Sequence, residues 1–373
     1  MQYRPILPLF IMLCTLSCSE KTYHNIEPEN YLYSPPQELS DGIATSSMDA
    51  LGINQETMTE MIRNRLRFHF GEIDSVLVYK NDRLVLEEYF NGYTNNQKHD
   101  LRSTTKSITA ILTGILIDEG HIQNENAAIL PFFENDYSQI DNLTKDKNDI
   151  QLKNLLNMNS GFDCNDNEPT SNGNETRMYR ERDWYKFLLD QPMKYPPGES
   201  YAYCTSGVNL IGGIIQKASN ETITEFSDRT FFSKLGISDF RWSTTPLNIE
   251  STGGHLFLRP RDLLKIGITV LNNGQWQGEQ IISIEWMEKI KTKTYPDYGY
   301  LWWKTTFKFD EGGFKKDIDA IYTSGNGGQS IFVFPNEDLV AVFTGSNFNH
   351  FQGYWGPYQM LQFYILPATN MAN

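Results

Sequence analysis

Apolar and polar positions change period several times along the chain. Met58, Met61, Ile62 and Leu66 recur at helical spacing, which predicts an amphipathic helix over 56–68. Two β-rich runs, 75–80 and 83–90, flank Asn81-Asp82, the pattern of an antiparallel hairpin on a two-residue turn. The stretch 107–119 is apolar nearly all round (Ile108, Ile111, Leu112, Ile115, Leu116) and stops at Gly120. That predicts a buried central helix with a glycine cap. From about 122 to 235, short helical pieces, 210–217 among them, alternate with Asn-, Asp- and Gly-rich loops, of which 163–177 is the longest. Strands return at 320–324, 330–334 and 339–344, and a helix over 358–366 closes the chain. Strands, a helical block, then strands predict an α+β fold: an antiparallel sheet built from both chain ends, flanked by helices, with an all-helical region inserted. The expected limits are 55–121 and 245–373 for the sheet region and 122–244 for the helical one.

Hydrophobic residues make up 39% of the 373, enough for a sizeable core, so wholesale disorder is excluded. Lys+Arg 32 against Asp+Glu 46 gives a net charge of −14, with no basic run to compensate, which argues against nucleic-acid binding. At the N-terminus, Arg4 precedes an apolar segment ending at Ser17-Cys18. Residues 1–18 therefore read as a lipoprotein signal peptide, with Cys18 lipidated and 19–54 serving as a polar tether. The expectation is an exported protein held to a membrane by its lipid alone, facing the periplasm or the cell surface. Cys164 and Cys204 remain in the body; in an oxidising compartment they could form one disulfide, or stay as two buried thiols. There is no Cys/His cluster of zinc spacing, so neither a metal nor a cofactor is expected.

The six histidines (His24, His69, His99, His121, His255, His350) lie in no metalloprotease or nucleophile-elbow motif. Ser103-Thr104-Thr105-Lys106 is different. It opens the buried helix, where unpaired N–H groups favour developing negative charge, and Lys106 lies one turn from Ser103 on the same side. A lysine acts as a base only when neutral, and moving it from about 10.4 to about 7 takes roughly 4–5 kcal/mol of differential stabilisation, which burial can supply. A second element, Pro196-Pro197-Gly198 to Tyr203-Cys204-Thr205, delivers a tyrosine into a tight loop before another apolar helix. A phenol beside an ammonium is expected to have a depressed pKa and to shuttle protons. The third, Thr323-Ser324-Gly325-Asn326-Gly327-Gly328-Gln329, ends a predicted strand, with glycines that let a substrate approach free N–H groups.

In this order, the three elements resemble the serine β-lactamase and penicillin-recognising superfamily, specifically its class C-like branch, which includes esterases and 6-aminohexanoate-dimer hydrolases. The landmarks 155–161, 253–256, 261–263, 274–276 and 298–303 extend the resemblance over about 50–370. It implies a β-lactamase/transpeptidase-like fold, with Ser103 as nucleophile, Lys106 as base and Tyr203 as proton relay. It also implies an oxyanion hole from the backbone N–H groups of Ser103 and Asn326, and substrate contacts at Thr205, Thr323, Gly325 and Gly327. Two positions depart from the pattern: Thr205 replaces the asparagine of Tyr-x-Asn, and Thr323 replaces a lysine or histidine. That cation ordinarily pairs with a substrate carboxylate, and losing such a bond costs on the order of 1.5–3 kcal/mol. The expectation is a serine hydrolase cleaving a small ester or amide through an acyl-enzyme. A β-lactamase or DD-peptidase is the alternative, and a non-turnover binding or sensing protein a second one.

Overall fold

The computed structural model describes residues 26–311 and 314–370. The expected signal peptide, Cys18 and the start of the tether lie outside the described residues.

An amphipathic helix, α1 (Gln55–Leu66), buries Met58, Met61 and Ile62. The hairpin follows as β1 (Ile73–Lys80) and β2 (Arg83–Tyr89). Asn81 and Asp82 turn between them with φ of 48° and 59°, the left-handed pair that a tight two-residue connection needs. The central helix α2 (Thr104–Asp118) is buried on every side through Leu116, and Gly120 beyond it has φ 77°. Farther on come α3 (Thr205–Ser219) and α4 (Pro260–Leu271). The chain then lays down β3 (Tyr298–Gly299), β4 (Trp302–Glu311), β5 (Phe314–Tyr322), β6 (Ser330–Phe334) and β7 (Leu339–Gly345), and α5 (Gln352–Met360) follows.

The seven strands form one antiparallel sheet in the order β2-β1-β7-β6-β5-β4-β3, so the first hairpin is closed by the last strand. Alternation sorts its side chains onto two faces. Leu77, Ile331, Val333, Val340 and Val342 join the core that contains α2, α3 and α4. Val76, Val78, Phe332, Phe334, Ala341 and Phe343 join the core under α1 and the C-terminal helix. The apolar cluster around α2 continues without a break into residues 129–237, so the helical region shares its core with the sheet. A small three-stranded sheet (His99–Asp100, Leu256–Leu258, Arg241–Trp242) links the two.

One expectation is corrected. Residues 26–54 do not hang free as a tether. Tyr31 is fully buried, its hydroxyl donating to Glu88 Oε1 at 2.8 Å, and Met48 and Ile53 enter the core. Ser46 donates to the Leu84 carbonyl, and Leu84 donates to that of Ala44. β2 is an edge strand, and this segment covers backbone groups that would otherwise face solvent unpaired.

Candidate active site

α2 begins at Thr104, and Ser103 is its N-cap residue without a side-chain capping bond, which leaves the hydroxyl available. Arg102 just before it is held at φ 48°, a left-handed turn unusual for a bulky residue, with its N–H bonded to Asp100 Oδ1. The helix start is fixed from both sides. Thr104 Oγ1 donates to the Gln329 carbonyl at 2.8 Å, and Thr105 Oγ1 accepts the Leu256 N–H.

Lys106 points back along α2, one turn on. Its Nζ is 3.1 Å from Ser103 Oγ and donates to the Gly253 carbonyl at 2.5 Å. That carbonyl is itself positioned: Asn209 Oδ1 on α3 accepts the Gly253 N–H at 2.9 Å, and Thr252 Oγ1 donates to the Val208 carbonyl. A Cβ on Gly253 would sit 2.8 Å from Thr205, so only glycine lets this loop come so close. Lys106 is buried, and burial pulls its pKa down, opposed by the charges of Glu175 and Asp166.

Tyr203, two residues before α3, closes the triangle. Its ring lies 5.1 Å from Lys106 Nζ, and it lines the same cleft as Ser103. Burial pushes this phenol well above its usual range, the neighbouring Ser103 hydroxyl pulling the other way. This corrects the depressed pKa expected from the sequence: desolvation outweighs the neighbouring amine. Tyr203 therefore stays protonated, fit to pass a proton on but not to serve as a standing phenolate base.

Gly325 approaches the Ser103 turn so closely that a Cβ there would be 2.3 Å from the Leu101 carbonyl. The next residue, Asn326, is fixed by its side chain, which exchanges two 2.8 Å hydrogen bonds with Asn349. Neither the Ser103 nor the Asn326 backbone N–H has a hydrogen-bond partner among the described residues. Both residues line a cleft of about 380 Å³ together with Tyr203, Trp303, Tyr322 and Ser324.

The other expected substrate contacts face elsewhere. Thr323 is fully buried; its hydroxyl accepts the Ile331 N–H at 2.9 Å and meets Thr104, tying strand to helix. Thr205 is buried too, its N–H donating to Asp166 Oδ2 at 2.7 Å and its hydroxyl to Glu175 Oε2 at 3.1 Å. Gly325 and Gly327 shape the loop and are absent from the cleft wall; a Cβ on Gly327 would strike Phe348. Cys164 and Cys204 are joined in a disulfide, which clamps the 163–177 loop against the start of α3.

Sequence reading missed the two carboxylates that do line the cleft, Asp166 and Glu175. Burial and the adjacent Glu175 push the Asp166 pKa up, while Lys106 and the Thr205 bonds pull it down. The only signal was the density of acids in the 163–177 loop. No histidine, lysine or arginine lines the cleft among the described residues. His255 instead bonds Asp100 Oδ2 at 2.9 Å, beneath the Arg102 turn.

Known proteins share this architecture. The chain is 23% identical over 300 residues to the 6-aminohexanoate-dimer hydrolase of Paenarthrobacter ureafaciens, covering 72% of this chain and 71% of that protein. A solved Bacillus anthracis structure, provisionally assigned as a 6-aminohexanoate-dimer hydrolase, superposes with a TM-score of 0.67 at 21% identity, covering 82% of this chain and 81% of that one. A penicillin-binding protein from Bacillus halodurans superposes with a TM-score of 0.61 at 15% identity, covering 80% and 99%. The family model for Beta-lactamase matches residues 74–354, three-quarters of the sequence, a span that holds Ser103, Lys106 and Tyr203, so the chain belongs to the beta-lactamase family.

Proposed function

We propose that this protein is a serine hydrolase that cleaves a small ester or amide through an acyl-enzyme on Ser103. The observation that carries the reading is the Lys106 amine, buried and 3.1 Å from the Ser103 hydroxyl, with the Tyr203 ring 5.1 Å from the same amine. In its neutral form Lys106 takes the Ser103 proton as Oγ attacks the substrate carbonyl. The N–H groups of Ser103 and Asn326 receive the negative charge that develops on the carbonyl oxygen. Tyr203 hands its proton to the departing alcohol or amine and regains one from the Lys106 ammonium; water then attacks the acyl group, giving Lys106 a proton that returns to Ser103 Oγ as it leaves. No step calls for an imidazole or a metal.

Cleft charge separates this reading from a β-lactamase or DD-peptidase. Asp166 and Glu175 line the cleft, and the side chain standing where the family's cation is usual, Thr323, is buried. A carboxylate-bearing substrate would meet repulsion in place of a partner, so neutral or amine-bearing substrates are favoured.

A fluorophosphonate should add one covalent adduct, visible by intact mass, and Ser103→Ala should lose both the adduct and p-nitrophenyl butyrate turnover. Adduct formation and turnover that survive Ser103→Ala would reject the assignment. Tyr203→Phe should lower kcat/KM by about a hundredfold, the low end for one positioned proton donor. Rapid Ser103-dependent nitrocefin hydrolysis would favour the β-lactamase reading, and a β-lactam adduct that never clears the sensor reading. Export and lipid anchoring at Cys18 remain part of the proposal; the disulfide supports an oxidising compartment. Loss of a diacylglycerol mass in Cys18→Ser is the corresponding check.

A further inference from the structure

Behind the cleft lies a second chamber of about 120 Å³, between β5, β6 and α5. Tyr322, Ser324 and Tyr354 line both spaces, which therefore adjoin. The chamber is walled by rings: Tyr322 and Phe332 stack with centroids 4.8 Å apart, and Tyr358 closes the side toward α5. Among the described residues no charged side chain lines it, in contrast to the acidic cleft in front.

One atom in it is out of place for an apolar void. Ser330 lines the chamber and is 5% exposed, yet its Oγ has no hydrogen-bond partner. Buried hydroxyls are nearly always satisfied, and an orphan in a cavity wall marks where something outside the chain completes the bond. An apolar cavity of about 150 Å³ takes a benzene ring, so this one has room for a chain of about four or five heavy atoms.

We propose that the chamber is a second substrate subsite, taking an uncharged chain end and hydrogen-bonding a polar group at its tip through Ser330. The proposal rests on the hydrolase reading above. It assigns specificity to two residues outside the reacting set, Thr305 on β4, which lines the chamber, and Ser330 on β6.

The test uses two ester series: p-nitrophenyl esters with acyl chains of increasing length, and acetate esters with alcohols of increasing length. In one of them kcat/KM should rise about fourfold per added methylene until the chamber is full. That series identifies which side of the scissile bond the chamber serves. Thr305→Phe should flatten the rise and leave p-nitrophenyl acetate turnover unchanged. Ser330→Ala should keep the rise for methyl-ended chains. It should also erase a preference of about 3- to 10-fold for a hydroxyl-ended chain of the same length. If Thr305→Phe fails to fold, the Ser330→Ala comparison alone decides. Identical length and end-group profiles in wild type and variants, with acetate turnover intact, would overturn the subsite and leave the hydrolase reading standing. Absence of Ser103-dependent acetate turnover in the wild type would overturn the hydrolase reading, and the subsite with it.

Discussion

Two lysines are buried on neighbouring stretches of chain, Lys106 on α2 and Lys304 on β4, and only one of them lies against a hydroxyl. Lys106, 1% exposed, lies against a serine hydroxyl, a backbone carbonyl and a tyrosine ring, with two carboxylates nearby. Lys304, 3% exposed near the start of β4, donates to the Gly299 and Trp302 carbonyls. Burial brings Lys304 down to about 7, with the charge of Lys293 pressing the same way. Judged by proton affinity alone, Lys304 would pass for a base at neutral pH. It touches no hydroxyl, so its lone pair has nothing to deprotonate. Position selects the base; burial only makes it available.

The sharpest way to break this contrast is to make both residues methionine. Lys106→Met should lower kcat/KM for p-nitrophenyl butyrate by about 10²–10⁴, the range for a positioned general base, while Lys304→Met should stay within about twofold. Comparable losses in both would mean that the contrast lies in stability and not in chemistry.

A smaller effect tests the carboxylates. Asp166 and Glu175 hold the Lys106 proton on, against burial. Removing a negative charge in Asp166→Asn should lower the Lys106 pKa further, leaving the amine neutral to a lower pH. The acid limb of the kcat/KM profile should move down by about one unit. A limb that stays put, or moves up, would detach Asp166 from the base.

A third effect is on stability. Lys304 is at about 7 when folded, against an ordinary 10.5. Below pH 7 both states are protonated and the fold carries a buried charge. Between 7 and 10.5 the unfolded chain holds the extra proton, so stability rises with pH. Urea melts at pH 7 and 9.5 should show a gain on the order of 2–3 kcal/mol in the wild type beyond that in Lys304→Met. Parallel pH dependence in the two proteins would contradict it.

The same contrast shows what a sequence can carry. Ser103, Lys106 and Tyr203 were legible because they open apolar helices, where period and polarity change together. The hairpin was legible because Asn81-Asp82 tolerates left-handed backbone. Helix α2 starts three residues earlier than its apolar run suggests, since Thr104 and Thr105 look like loop residues yet spend their hydroxyls on the Gln329 carbonyl and the Leu256 N–H. β4 escaped notice because its polar residues, Lys304 to Thr306, interrupt the apolar pattern. Asp166 and Glu175 were hidden among equally acidic neighbours. A loop has no period from which to read facing, and it was Thr205, thirty residues and more away, that selected these two.

That arrangement has a practical corollary. The acids hang on a segment pinned at Cys164 by the disulfide and at its inner edge by Thr205, whereas Ser103, Lys106 and Tyr203 are carried by the start of α2 and the approach to α3. The acids and the three side chains thus ride on different segments, stitched together where the Asp166 N–H meets the Tyr203 carbonyl. A cassette of equal length, neutral or basic, spliced in after Cys164 would recast which molecules the mouth admits and, by removing the charges of Asp166 and Glu175, would loosen the Lys106 proton as well.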